Sequence, residues 1–143
     1  MGSEMCIRDS NYGEMMNEQL SIKATDRSPD ILFDFAANEL TIAGESYPED
    51  VLSFYHPVME ALEAYLGSPD RTITTAHLKL IYFNSSSAKV LMNIIELLDE
   101  AAQHAPVSIN WYFDPEDDTM QELGEEFGED IVNAGFSLKE LTD

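Results

Sequence analysis

Segments with strand-like apolar patterns alternate with segments of helical period along most of this chain. The strand-like segments at 71–83 and 107–113 are each followed by a helical one, at 86–104 and 119–130, and another helical segment spans 49–66. Because a helix between two strands usually forms a crossover connection, this alternation favours a partly parallel sheet. The sequence therefore predicts an α/β fold with helices packed mainly against one face of a mixed sheet.

An N-terminal hairpin is expected before the first crossover. Residues 31–35 and 39–43 resemble two strands, and Asn38 in the connecting Ala-Ala-Asn segment tolerates a left-handed backbone. A short strand at 19–24 precedes them, and a possible last strand lies at 135–139. The sheet is thus expected to be antiparallel at its start and parallel further on.

Two interruptions of this pattern are expected. Residues 44–48 (GESYP) place glycine and proline close together and should break the sheet. Pro57 lies within the helical segment and removes a backbone donor, so we expect a kink or an irregular first part of that helix.

The length and the apolar content together favour one compact domain. The chain has 143 residues, 44% of them apolar, which is enough to form a core without a disulfide or a metal. We expect this domain at residues 18–141. Residues 1–13 have no apolar period, and their MCIRDS segment resembles translated sequencing-adapter read-through, so we expect a disordered, non-native tail. Cys6, the single cysteine, would then have no function.

The charge balance narrows the classes of partner. Seven Lys and Arg residues accompany 28 Asp and Glu residues, which gives a formal net charge of −21 and a pI of about 4.1. This charge disfavours nucleic acid and anionic lipid as partners, because binding to either depends largely on cationic side chains. No apolar run approaches the roughly 20 residues of a membrane helix. We therefore expect neither nucleic-acid binding nor membrane insertion.

Common catalytic and metal-binding patterns are absent from the sequence. It contains no phosphate-binding GxxxxGK[ST] loop and no GxGxxG. The GESYP segment begins like a nucleophile elbow, but Pro48 occupies the position where that turn needs glycine. His56, His77 and His104 lack the spacing of metal ligands. We expect no metal, no cofactor and no catalytic residue.

An acidic segment in the last third of the chain has two interpretations. Residues 114–130 hold nine Asp and Glu residues and neither Lys nor Arg. The loop at 114–119 departs from a calcium-binding loop, because Glu116 and Thr119 occupy positions that the motif reserves for other residues. A solvated helix flank explains the charge most simply. An electrostatic docking face for a basic partner is the functional alternative.

The most informative local feature is the strand–helix junction at residues 82–89, YFNSSSAK. A polar residue at a helix start accepts hydrogen bonds from free backbone N–H groups, so a helix cap explains these residues without any function. The same geometry suits a phosphoserine, because a helix N-terminus has unpaired donors and a positive partial charge. A phosphate at such a junction would change the charge and the shape of the surface.

Four segments together resemble the SiaC-like family of bacterial biofilm-regulation phosphoproteins. They are IYFNSSSAK at 81–89, GESYPE at 44–49, VSINWYFD at 107–114 and GEEFGED at 124–130. The resemblance implies a STAS-like fold, similar to that of anti-sigma factor antagonists. It extends over most of the chain that follows the expected tail.

The resemblance implies a non-catalytic partner-switching protein of the cytoplasm. A protein kinase would phosphorylate it, and a PP2C-type phosphatase would remove the phosphate. The unmodified form would bind a diguanylate cyclase, raise cyclic di-GMP synthesis and favour biofilm formation. A single cysteine fits a reducing compartment of this kind.

The resemblance also implies which residues form the site. The family's acceptor, commonly a threonine directly after the asparagine of the motif, corresponds here to Ser85. The neighbours that would shape the phosphorylation site are Asn84, Ser86, Ser87 and Lys89. The residues of the GESYPE segment that would contact the partner are Glu45, Ser46 and Tyr47. Ser86 and Ser87 stay open as alternative acceptors.

Two other functions remain open at this point. A passive STAS-like module would bind a small ligand in an apolar cavity near the helix N-termini, lined by Trp111 or Tyr112. Because these are neighbouring strand residues on opposite faces, one of them is expected in the core. A carboxylate-dependent hydrolase would use Glu45 or Glu49, with paired carboxyl groups of different pKa.

Overall fold

The computed structural model describes residues 19–141, which form a six-stranded sheet and three helices. The strands are β1 (Gln19–Ile22), β2 (Asp30–Asp34), β3 (Glu39–Ser46), β4 (Thr74–Phe83), β5 (Val107–Phe113) and β6 (Gly135–Glu140). The helices are α1 (Val51–Leu66), α2 (Ser85–Ala101) and α3 (Asp118–Gly128). The expected tail at 1–13, with Cys6, and residue 18 of the expected domain lie outside the described residues.

The order of the strands in the sheet follows their order in the chain. β1, β2 and β3 pair antiparallel, whereas β3, β4, β5 and β6 pair parallel, each joined to the next through one helix. Asn38 in the turn between β2 and β3 has a φ of 59°, the left-handed conformation expected there. The predicted mixed sheet with an N-terminal hairpin is confirmed.

The helices cover one face of the sheet and form the core with it. Alternate residues of β5, from Val107 to Phe113, are buried, and those of β4 show the same period. Trp111 is buried, whereas Tyr112 points to the other face and is partly exposed, so the expectation that one of the pair belongs to the core is met. On that other face the ammonium of Lys79 lies 5.1 Å from the centre of the Tyr112 ring.

The GESYP segment does not break the sheet as expected. β3 continues to Ser46, and its register with β4 shifts between Gly44 and Glu45. Gly44 has a φ of 113°, a backbone conformation that glycine adopts readily and other residues rarely adopt. Gly44 pairs with Leu80 and Glu45 with Tyr82, so the extra residue at this β-bulge is Ile81 on β4, and the pairing continues beyond it.

Helix α1 is unbroken from Val51 to Leu66, although Pro57 lies within it. Pro57 cannot donate to the carbonyl of Ser53, four residues earlier. Both residues are exposed, so that carbonyl is open to water. Water can donate to a carbonyl at an exposed position, so the missing backbone hydrogen bond does not end the helix.

Candidate functional site

The two motifs from the sequence meet at one edge of the sheet. β3 and β4 run parallel and end together, with Ser46 opposite Phe83 in the register. The N–H of Asn84 then donates to the carbonyl oxygen of Ser46 at 3.2 Å. This bond joins the GESYPE segment to the first residue of the serine turn. Helices α1 and α2 both begin at this edge, a few residues after the strands.

Asn84 caps helix α2, as one interpretation of the sequence predicts. Its backbone is extended, and its side-chain oxygen accepts from the N–H of Ser87 at 2.9 Å. Its carbonyl accepts from the N–H of Ala88, also at 2.9 Å. The cap fixes the backbone on both sides of Ser85 and Ser86 without using either hydroxyl.

Helix α1 begins with a cap of the same kind. The carboxylate of Asp50 accepts from the N–H and from the hydroxyl of Ser53, at 3.1 Å and 2.9 Å. These hydrogen bonds, the backbone one first, lower the pKa of Asp50 from its usual value. Both helices therefore start from a fixed position at the sheet edge.

Burial separates the three serines of the turn. Ser85 and Ser86 are exposed, whereas Ser87 has no solvent-accessible surface. The Ser87 hydroxyl accepts a hydrogen bond from Ser46 at 2.9 Å. In this fold a kinase can reach Ser85 and Ser86 but not Ser87. Lys89, also exposed, follows Ser85 by one helical turn.

The partner-binding residues expected in the GESYPE segment fall on two sides of the chain. Glu45 is exposed and Tyr47 is partly exposed, but Ser46 between them is fully buried. The Ser46 hydroxyl lies 2.7 Å from the hydroxyl of Tyr55. The structure therefore places Ser46 out of direct contact with a partner, because strand geometry turns alternate side chains to opposite faces. The GESYPE motif alone does not indicate that Ser46 is buried.

Tyr55 is a further residue of the site that no motif indicates. It is buried at the start of α1, and burial raises the pKa of its phenol to about 12, although the hydrogen bond with Ser46 partly offsets the effect. The phenol therefore stays protonated at physiological pH. Its one sequence signal is its position on the apolar face of the predicted helix, where a hydroxyl needs a partner.

Two tyrosines contact each other at the ends of β3 and β4. The rings of Tyr47 and Tyr82 pack edge to face with their centres 5.7 Å apart, and Tyr82 is half exposed. We call the group formed by Glu45, Tyr47, Tyr82, Ser85 and Ser86 the junction surface. It combines two tyrosines, a residue type enriched in protein interfaces, with two accessible hydroxyls.

A cavity of about 510 Å³ lies at the opposite end of the sheet. Its lining includes Asn38 from the β2–β3 turn and Tyr65 and Arg71, near the end of α1 and before β4. Neither Trp111 nor Tyr112 belongs to it, and it does not adjoin the helix N-termini. It is therefore not the cavity that the passive ligand-binding alternative requires.

Within residues 19–141, no cluster of three or more His, Cys, Asp or Glu side chains could hold a metal ion. In that same part of the chain, no helix has the length and apolar character to cross a membrane.

Comparison with known proteins decides the family. A family model described as "SiaC family regulatory phosphoprotein" matches residues 22–141. This chain belongs to the SiaC family. The resemblance drawn from the four sequence segments is confirmed.

Solved SiaC structures share the fold. Apo-SiaC from Pseudomonas aeruginosa is 36% identical, with a TM-score of 0.78, over 85% of this chain and 98% of that one. A structure of the diguanylate cyclase SiaD in complex with its activator SiaC, from the same organism, matches with a TM-score of 0.80 and 36% identity. That match covers 85% of this chain and 99% of the matched chain in the complex.

A sequence relative extends the comparison. An uncharacterised protein of Pseudomonas aeruginosa strain UCBPP-PA14 is 38% identical over 112 residues, which is 78% of this chain and 88% of the relative. As a member of a family of regulatory phosphoproteins, the chain is a regulator and not an enzyme. This assignment counts against the carboxylate-dependent hydrolase, and Glu45 and Glu49 are both exposed at the sheet edge.

Proposed function

We propose that this SiaC family protein activates a diguanylate cyclase in its unmodified form and is switched off by phosphorylation of Ser85. A protein kinase adds the phosphate, and a PP2C-type phosphatase removes it. The switch controls cyclic di-GMP synthesis and biofilm formation from the cytoplasm, where ATP is present. The observation that carries this proposal is the exposure of Ser85 as the first residue of α2, directly after Asn84, whose N–H donates to Ser46 of the GESYPE segment.

Ser85 is the better acceptor of the two exposed serines. It follows Asn84 directly, which is the position of the acceptor in the family motif. As the first residue of α2 it also lies at the positive end of the helix. A phosphate there gains about 0.3–1 kcal/mol from the helix dipole, and unpaired backbone N–H groups are available to it. Phosphorylation is therefore compatible with the folded junction.

The phosphate would act on the partner and not on the fold. It adds a charge of about −1.5 to −2 and three acceptor oxygens at pH 7. Glu45 already contributes a negative charge to the junction surface, in a chain with a formal net charge of −21. A partner that buries Tyr47 and Tyr82 would have to desolvate the phosphate as well. The unmodified hydroxyl imposes no such cost.

The proposal of a cyclase as the partner is based on a solved structure of a SiaC protein. In the solved complex, SiaC is described as the activator of the diguanylate cyclase SiaD. This protein matches a chain of that structure with a TM-score of 0.80 and 36% sequence identity. Both support a cyclase as the target of this protein.

Intact-mass analysis after incubation with the cognate kinase and ATP tests the acceptor. We expect one phosphate on the wild type and on Ser86→Ala, and none on Ser85→Ala. Cyclase activation should survive in Ser85→Ala. In Ser85→Asp it should fall by at least about tenfold, because like charges placed together in an interface cost several kcal/mol. Undiminished phosphorylation of Ser85→Ala would move the acceptor elsewhere.

A further inference from the structure

We propose that three buried hydroxyls, those of Tyr55, Ser46 and Ser87, are positioning residues for the Ser85 acceptor. They hold the serine turn in the geometry that a kinase needs. The inference rests on the proposed function, and it adds residues that never touch the kinase, the phosphate or the cyclase.

The three hydroxyls form a continuous chain of hydrogen bonds across three elements. The phenol of Tyr55 on α1 lies 2.7 Å from the Ser46 hydroxyl on β3, which lies 2.9 Å from the Ser87 hydroxyl on α2. Their side chains are buried, with relative exposures of 1%, 0% and 0% in that order. The chain therefore links the starts of both helices to the end of a central strand.

The direction of these bonds follows from the number of protons. A serine hydroxyl has one proton, and Ser46 donates its proton to Ser87. Tyr55 must then donate to Ser46. Because burial raises the pKa of Tyr55 to about 12, this donor keeps its proton throughout the physiological range. The order Tyr55, Ser46, Ser87 is thus a fixed donor sequence.

The bond between Ser46 and Ser87 also closes a ring of hydrogen bonds with Asn84. The carbonyl of Ser46 accepts from Asn84, the side chain of Asn84 accepts from the N–H of Ser87, and the hydroxyl of Ser87 accepts from Ser46. Ser85 and Ser86 lie in the segment between the two fixed ends. The position of the acceptor is therefore set through Ser46, a residue 39 positions earlier in the chain.

A role in positioning explains why hydroxyls occupy this part of the core. Buried polar groups are costly unless each finds a partner, and apolar side chains could fill the same space. A satisfied hydrogen-bond network fixes one arrangement where apolar packing would permit several. Phosphoryl transfer depends strongly on such alignment, and a displacement of about 1 Å can reduce a rate by about a hundredfold.

Tyr55→Phe tests the inference against a closely matched control, Tyr65→Phe. Both changes remove a phenol hydroxyl from α1. That of Tyr65 lies at the opposite end of the sheet, 2.8 Å from Thr74 and 2.7 Å from Asn38. We expect kcat/KM of the cognate kinase for Tyr55→Phe to fall by about tenfold, mainly through kcat, because alignment is lost. Tyr65→Phe should stay within about twofold of the wild type, and thermal melts should show both variants folded.

Amide hydrogen exchange provides a second measurement that does not need the kinase. Exchange at residues 84–88 should rise in Tyr55→Phe and remain at the wild-type level in Tyr65→Phe. Ser46→Ala should reproduce the effect, and the double variant with Tyr55→Phe should add little, because both belong to one network. Wild-type exchange and wild-type kinetics in Tyr55→Phe would overturn the inference. Absence of phosphate on wild-type Ser85 would instead overturn the proposed function, and the exchange data would still decide on positioning.

Discussion

The guanidinium of Arg71 lies 2.7 Å from the carbonyl oxygen of Ala101, the last residue of α2. It also reaches the carbonyl of Ala105 at 3.4 Å and the hydroxyl of Thr74 at 3.2 Å. The Ala101 carbonyl also accepts from the backbone N–H groups of His104 and Ala105, so Arg71 adds a charged donor at the negative end of the helix dipole. Arg71 thus fastens the far end of the helix whose first residue is Ser85.

Replacement of Arg71 by methionine should lower the free energy of unfolding by about 2 kcal/mol, because hydrogen bonds from a charged donor are lost while the aliphatic stem remains. Urea unfolding monitored by Trp111 fluorescence measures this loss. Arg27→Met is the control: Arg27 is exposed, and the change should stay within about 0.5 kcal/mol of the wild type. Equal stability of the two variants would contradict the capping role.

Asp99 should make the stability of the fold depend on pH. Partial burial raises the pKa of Asp99, but hydrogen bonds from the backbone N–H groups of Ala134, Asn133 and Val132 outweigh that effect and lower it. The pKa of Asp99 is thus lower in the folded protein than in the unfolded one. The ionised carboxylate therefore stabilises the fold fully above about pH 4, and this stabilisation is lost as the pH falls through the pKa of the folded state.

The measurement is the unfolding free energy of the wild type and of Asp99→Asn between pH 7 and pH 2. We expect the wild type to be more stable at pH 7 and the difference to shrink on acidification. Glu100→Gln, at the neighbouring exposed position, should show no comparable difference. A constant difference across the pH range would show that the carboxylate charge is not responsible.

Gly124→Ala should destabilise the packing of α3 on the sheet. A Cβ at this position would lie 2.5 Å from Cδ1 of Trp111 and 2.7 Å from Cδ2 of Leu138. We expect a loss of about 1–3 kcal/mol, because a well-packed core has no room to move aside. Gly67→Ala is the comparison, since the nearest atom there is 3.4 Å away. Circular-dichroism melts of both variants should show a lower Tm for Gly124→Ala.

Tyr82→Ala should weaken cyclase activation if the junction surface binds the cyclase. Tyr82 is half exposed and contacts Tyr47, and truncation of a tyrosine at the centre of an interface commonly costs about 2 kcal/mol or more. The dissociation constant for the cyclase should rise by at least about tenfold. Ile73→Ala removes an exposed apolar side chain just before the other end of β4 and should leave affinity unchanged. Equal effects would point to a different binding face.

The apolar pattern was sufficient to predict most of the fold. The strict alternation from Val107 to Phe113 predicted β5 at its observed bounds, because one face of this strand packs on the helices and the other faces solvent. The end of β3 was misjudged, since a glycine and a proline in close succession resemble a turn. Only the backbone shows that β3 continues past Gly44, opposite a bulge at Ile81 on β4.

Features of the site that depend on neighbouring residues in the sequence were predictable. Features that depend on hydrogen-bond partners far away in the sequence were not. Asn84 as a helix cap and Ser85 as an exposed residue follow from a strand–turn–helix pattern. The burial of Ser46 does not, because it depends on Tyr55 and Ser87 arriving from two different helices. The predicted strand at 71–83 starts too early, since β4 begins at Thr74 and Arg71 instead bonds Ala101, a partner 30 residues away that the local pattern does not show.

Because strand order equals chain order, each parallel strand pairs with the one synthesised just before it. All the hydrogen-bond partners that fix the Ser85 turn lie between Ser46 and Ala88. A ribosome therefore releases these residues together, well before it reaches the acidic last third of the protein. Vectorial synthesis therefore makes Ser85 and its hydrogen-bonded neighbours available for folding before the residues of β5, α3 and β6, which complete the core afterwards.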